Sequence, residues 1–237
     1  PACAPCSDIE GRALNRRVAI LRPEPGNAAT TARLREAGLD PLSLPLFAVS
    51  ALNWTPPEPA SFDGLLLTSA NALRHGGAGL GSLLGLPVLA VGQATADAAH
   101  AAGFTVAHTG STDVATLLRD APGFERLLWL SGRDRTAIEH PALAAIIAVY
   151  ASETIALASE EAVHLTNSVA LVHSARAGMH LAAELTRHRV PPATIRIAAI
   201  SRKAAIAAGP GWNSIAIAAS PDDDALLTAA RALVIDP

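Results

Sequence analysis

The chain has 237 residues, of which 50% are hydrophobic and 16% charged, with a formal net charge of −3. That length gives room for two small domains or one large one, and so low a charged fraction suits Ala-rich helices laid over buried parallel strands. The net acidity and the lack of any Lys/Arg block argue against nucleic-acid and membrane-surface partners, and no apolar stretch approaches the roughly 20 residues of a bilayer span.

Residues 1–12 stand apart. Ile9-Glu10-Gly11-Arg12 reads as a protease recognition site, so this segment is expected to be an expression remnant. Both cysteines, Cys3 and Cys6, lie in it, and a C-x₂-C without a second pair is a weak metal signal. With the segment set aside no cysteine remains, which excludes disulfides and thiolate chemistry. No metal site and no signal peptide are read, so a cytoplasmic location is expected.

Val18–Leu21 is a short apolar strand running into Arg22-Pro23, and Asn27–Ala37 a helix stopped by Gly38. Pro41–Leu46 follows as a second strand, and the prolines of residues 53–59 mark a loop. Gly64–Thr68, Val88–Val91, Leu127–Leu130, Val169–Val172 and Arg196–Ile200 are apolar runs of strand length, each expected to lead into a helix. Strands alternating with helices predict an α/β fold with parallel sheets flanked by helices.

An internal repeat organises these elements. Residues 89–99 align with residues 198–208 at an offset of 109, which persists to Asp113/Asp222 and Leu117-Leu118/Leu226-Leu227. Upstream, residues 67–72 resemble residues 172–177 at an offset of 105. One doubling predicts two similar domains with a cleft between them, not a solenoid. The second copy supplies too few strands for a complete sheet, so the first strands are expected to join it. The predicted division is a discontinuous domain of residues 13–45 plus 153–237 and a second of residues 46–152. Pro45–Leu52 and Val149–Leu157 would be the two crossings.

Five polar turns follow strand ends: Thr68-Ser69 with Ala70, Gly92-Gln93, Ser131-Gly132, His173-Ser174 with Ala175, and Ser201-Arg202. Parallel sheets bind ligands outside the carboxyl ends of their strands, and a following helix offers N–H groups and partial positive charge to carboxylates. Ordinary helix capping explains any one such turn equally well; five together favour a polyanion site. Arg22, Arg74, Arg133, Arg135, Arg176, Arg202 and Lys203, the only lysine, are the candidate cations. Residues 76–81 are glycine-rich but lack G-x-G-x-x-G and precede a strand, and no Walker A, H-E-x-x-H or G-x-S-x-G occurs. The only tyrosine, Tyr150, falls in the second crossing, as a proton donor or as a packing residue with its hydroxyl at the surface.

Residues 62–72, Val91-Gly92-Gln93-Ala94-Thr95-Ala96, Tyr150, His173-Ser174-Ala175-Arg176 and Ala199-Ile200-Ser201 together resemble the uroporphyrinogen-III synthase family. Leu21–Pro23 and Pro221-Asp222 with Leu226-Leu227 fit as well, so the likeness covers nearly everything after Arg12. The resemblance implies two α/β domains joined by a two-stranded linker, and a cofactor-free, monomeric lyase of tetrapyrrole biosynthesis. Its substrate would be hydroxymethylbilane, a linear tetrapyrrole with eight carboxylates, received by transient handover from the preceding pathway enzyme. The enzyme would help the terminal hydroxyl leave, invert the last pyrrole ring through a spiro intermediate and close the macrocycle. Thr95 and Tyr150 match the residues implicated in catalysis. Two departures stand out. Lys203-Ala204 replaces threonines usual in the later turn, and the stretch from Arg133 to Tyr150 is short for the helix and strand the family places there. The competing reading is a non-catalytic two-domain binding protein or sensor for a small polycarboxylate.

Overall fold

The computed structural model describes residues 16–110, 113–121 and 123–234; Cys3, Cys6 and the rest of residues 1–12 lie outside them. In chain order the elements are β1 (Val18–Ile20), α1 (Gly26–Glu36), β2 (Pro41–Ser43), β3 (Phe47–Ala51), β4 (Gly64–Leu67), α2 (Asn71–His75), β5 (Val88–Val91), α3 (Gln93–Ala101), β6 (Val106–Gly110) and α4 (Val114–Asp120). The chain continues through β7 (Leu127–Gly132), β8 (Leu143–Thr154), α5 (Ser159–His164), β9 (Val169–Val172), α6 (Ala175–His188), β10 (Arg196–Ala199), α7 (Arg202–Ala207), β11 (Ser214–Ile217) and α8 (Asp223–Val234).

Two compact units result. A terminal unit takes the chain up to Ala48 and from Thr154 onward, and a central unit takes Val49–Glu153. The terminal unit is built on a sheet of order β11-β10-β9-β1-β2, parallel throughout. The sheet of the central unit runs β3-β8-β7-β4-β5-β6, parallel from β8 to β6. At its margin β3 pairs with β8, where Leu52 N–H donates to Val149 and Ile155 N–H to Leu46, an antiparallel sense. The expected α/β class with helix-flanked parallel sheets is what the chain forms.

Setting β9-β10-β11 over β4-β5-β6, as the repeat dictates, puts β1 and β2 over β7 and β8. The two strand orders then coincide. The pair of strands that follows the repeated segment in the central unit precedes its counterpart in the terminal unit, so the units are circular permutations of one topology.

The burial of each strand follows from its composition. β4, β7 and β9 are apolar on both faces and buried along their whole length, the signature of strands covered by helices on two sides. In the terminal unit Val18, Ile20, Val169, Leu171 and Ala198 pack under α1 and α8, while Ala19, Ala170, Val172, Ile197 and Ala199 face α5, α6 and α7. In the central unit α2 and α3 cover Leu65, Leu67, Val88, Ala90, Leu128 and Leu130, and α4 covers Leu66, Leu89, Leu127 and Trp129. Each fully buried Leu or Ile contributes about 1.5–3 kcal/mol. A buried asparagine fixes the turn after β1: Asn27 donates to the carbonyls of Ile20 and Arg22 and accepts from Ser43, so its polar atoms are paired inside the unit.

Two expectations are corrected. Ser131-Gly132 is not a turn after a strand but the buried end of β7, paired with β8 through Ser131–Ala148 and Gly132–Tyr150. And β7 does not lead into a helix. Arg133–Ala142 is an irregular segment of ten residues joining two parallel strands, shorter than the dozen or more usual for such a crossover. Pro141 lies within it, and the span is too short for a helix plus the two turns a return to the sheet requires.

Candidate active site

In the central unit the chain moves outward from β4 through β5 to β6, then returns to β7 on the other side of β4. The switch point therefore lies between β4 and β7, where α/β sheets hold their ligands. A cavity of about 340 Å³ opens there, lined by Thr68 and Ser69 after β4, Val91 at the end of β5, Asp113 and Val114 at the start of α4, Trp129 and Gly132 of β7, Tyr150 of β8 and Asp134, Arg135, Thr136 and Ile138 of the irregular segment.

Tyr150 is set into this cavity by a glycine. Gly132 lies opposite it in the ladder, and Arg133 N–H donates to the Tyr150 carbonyl at 2.8 Å. A Cβ on residue 132 would come within 2.8 Å of the ring carbon Cζ and 3.0 Å of the hydroxyl, so only glycine lets the phenol rest against the strand. His75 of α2 stands beside the ring at 6.4 Å between centroids. Partial burial, with Arg74 second, lowers the His75 pKa and favours the neutral imidazole. Across the cavity Asp113 caps α4 by accepting from Thr116 N–H at 2.8 Å, and that bond holds its carboxyl below the usual range.

The switch point of the terminal unit lies between β1 and β9, and it is closed by its own charges. Arg22 donates to Asp223 at 2.6 Å, and His173 approaches the same carboxylate at 3.6 Å. Burial, then the Arg22 charge, push the His173 pKa down to about 4 against the pull of Asp223, so the imidazole is neutral at physiological pH. Neither ring nitrogen makes a hydrogen bond of ordinary geometry among the described residues.

The central cavity gathers Thr68, Ser69, Gly132, Arg135 and Tyr150 from the sequence candidates. Ala70 is buried at the start of α2. Gly92, with φ of +83°, caps α3, while the exposed Gln93 bonds Asp97. Thr95 is 5% exposed within α3 and does not line the cavity. The hydroxyl of Ser131 is buried without a partner among the described residues. Arg133 turns away to Glu153 at 2.7 Å. Arg22 and His173 form the terminal-unit cluster. Ser174 and Ser201 act as helix caps, accepting from Ala177 and Ala204 N–H. Ala175 opens α6, Arg176 stacks on Phe47 at 4.9 Å, and Arg202 and Lys203 are exposed at the start of α7. Sequence reasoning missed Asp113 as a wall of the cavity, although the repeat runs through it, and missed Trp129, whose only signal was an aromatic in an aliphatic strand. Among the described residues no group of His, Cys, Asp or Glu forms a metal cluster.

The family profile for uroporphyrinogen-III synthase HemD matches residues 28–228. The chain belongs to the uroporphyrinogen-III synthase family. Its fold is similar to that of the uroporphyrinogen-III synthetase of Helicobacter pylori, with a TM-score of 0.64 at 16% identity over 92% of this chain and 99% of that one. It is also similar to a mutant uroporphyrinogen III synthase of the extremely thermophilic bacterium Thermus thermophilus, with a TM-score of 0.52 at 19% identity over 92% and 98%. A search of curated proteins by sequence returned no match. Uroporphyrinogen-III synthases are lyases that cyclise hydroxymethylbilane in heme biosynthesis.

Proposed function

We propose that this chain cyclises hydroxymethylbilane to uroporphyrinogen III with inversion of the terminal ring, and that Tyr150 is its proton donor. The observation that carries the assignment of Tyr150 is its position: the only phenol of the chain lines a cavity at the carboxyl ends of β4 and β7, held there by Gly132. Hydroxide is a poor leaving group, but an electron-rich pyrrole pushes it outward. As the C–O bond breaks, the Tyr150 hydroxyl gives its proton to the departing oxygen, and water leaves. The electrophilic carbon that remains is attacked by the substituted carbon of the last ring, giving the spiro intermediate. Fragmentation and reclosure at the other side of that ring invert it. The proton finally lost from the ring restores aromaticity and balances the one Tyr150 supplied.

General acid catalysis of this kind contributes on the order of 10²-fold; holding the two ends of a flexible chain in closing geometry supplies much of the rest. Thr68 and Ser69 are assigned to substrate contact in the central unit. In the terminal unit the half-buried Arg176 and the exposed Arg202 and Lys203 are assigned to substrate carboxylates, and Arg22 and His173 to shaping that surface. Thr95, buried in α3, is assigned a lesser part through the turn that Gly92 begins. We further infer a cytoplasmic monomer that takes its bilane by handover, because a substrate that closes spontaneously must be captured promptly. No helix among the described residues is long and apolar enough to cross a membrane.

The deciding experiment supplies hydroxymethylbilane to the purified protein and measures the isomers of the porphyrinogen formed. Predominance of isomer III supports the reading. The spontaneous isomer ratio would leave a polycarboxylate-binding protein as the better account.

A further inference from the structure

Among the cations near the central cavity, two follow β7 and they differ in state. Arg133 is committed to Glu153 at 2.7 Å, with Asp134 at 3.9 Å. Arg135 lines the cavity, with its guanidinium 5.9 Å from the centroid of the Trp129 ring, and it makes no ion pair or hydrogen bond among the described residues. The two acids of the cavity wall are already engaged, Asp134 with Arg133 and Asp113 with the N–H of Thr116. That leaves Arg135 as the cation of this wall with its donors unused. The wall is also built around unmet polarity. Trp129 is 2% exposed and its Nε1–H has no acceptor among the described residues, nor has the Ser131 hydroxyl, two residues along the same face of β7, a partner among them. Buried polar groups are normally satisfied, so two neighbouring exceptions beside a cavity mark a place where something polar belongs.

We propose that this cavity seats a single carboxylated pyrrole ring of the substrate, the one bearing the hydroxymethyl group, and that Arg135, stacked on Trp129, holds one of that ring's carboxylates. This rests on the synthase reading and deepens it. At about 340 Å³ the cavity lies at the low end of small-ligand sites, with room for one substituted ring and not for four. A guanidinium resting on an indole keeps its edge free, and that edge fits a carboxylate through two parallel hydrogen bonds. The carboxylate fixed there sets how far the hydroxymethyl carbon reaches toward Tyr150, which lines the same cavity. Arg135 is thus a specificity residue, distinct from the proton donor.

The test crosses enzyme variants with substrate variants: hydroxymethylbilane, and an analogue with the carboxylates of its hydroxymethyl-bearing ring methylated. The wild-type protein should lose roughly 10- to 100-fold in kcat/KM on the analogue. Arg135→Gln should lose a similar factor on the natural substrate, chiefly in KM, and should treat the two substrates alike. Arg135→Lys should recover part of the discrimination. Arg119→Gln removes a charge from α4 outside the cavity and should change neither value. If Arg135→Gln discriminates between the substrates as well as wild type does, Arg135 merely packs on Trp129 and the proposal is overturned while the synthase reading survives. A wild-type protein without isomer III activity would overturn both.

Discussion

The two switch points of this chain are the same place in one topology, and they are furnished oppositely. In the terminal unit the first residue of α8 is Asp223, which binds Arg22 and stands beside His173. The matching first residue of α4 in the central unit is Val114. The residue before each is an aspartate that caps its helix in the same way: Asp222 accepts from Ala225 N–H and Asp113 from Thr116 N–H, both at 2.8 Å. The terminal switch point thus spends its cation, Arg22, on an aspartate where the central unit carries Val114. The duplication supplied two equivalent sites; local substitution closed one with an ion pair and left the other open beside a tyrosine.

If the terminal cluster is structural in this sense, its largest signature is in stability. His173 titrates near 4 in the folded protein and near 6.5 unfolded. As pH falls below 6.5 the unfolded chain takes a proton that the folded chain refuses, so stability declines until pH reaches about 4, by up to ~3 kcal/mol. Above 6.5 the group contributes no pH dependence. Denaturation midpoints of His173→Asn should lack this share of the slope between pH 4 and 6.5, and a slope identical to wild type would count against the buried neutral imidazole.

The central site should answer in turnover. Gly132→Ala places a methyl 2.8 Å from the Tyr150 ring; the phenol must move, and kcat should fall about 10- to 100-fold, since small misplacements of reacting groups are costly. Steady-state kinetics with a folding control would read it, and an unchanged kcat would show that the ring position is immaterial. Next in size, Asp223→Asn leaves the half-buried Arg22 without its carboxylate and should cost about 1–2 kcal/mol of stability, measured by urea unfolding, with a smaller effect on kcat. The reverse order of effects would place chemistry in the terminal cluster. Smallest of all, Ser131→Ala removes a buried hydroxyl that has no partner among the described residues, so the midpoint should stay within about 1 kcal/mol of wild type or rise.

Much of the fold could be read because it is written in repetition. The offset of 109 residues links β5–α3 to β10–α7 and α4 to α8, and a deficit of strands in the second copy pointed to β1 and β2 as its completion. Tyr150 was legible as the sole tyrosine in a crossing strand. The details of the site were less so, because they depend on pairing across strands. Ser131-Gly132 looks like a turn from its residue types, yet the ladder with β8 keeps it in the sheet, and nothing local to Gly132 shows that Tyr150 will lie against it. The missing helix after β7 is visible only as a short segment. Its consequence, a wall where Trp129 and Arg135 meet a cavity, appears once the strands are assembled. Thr95 is a motif position that packing buries, a burial the motif alone does not show.

The central claim is that the phenol of Tyr150 donates a proton to the departing hydroxyl from the open switch point. Single-turnover cyclisation of hydroxymethylbilane by Tyr150→Phe tests it most directly, because the change removes one oxygen and keeps the ring on Gly132. A rate lower by about 10²-fold is expected, with isomer III still formed and an unfolding midpoint close to wild type. A full rate with the same isomer specificity would contradict it and leave Tyr150 as a packing residue.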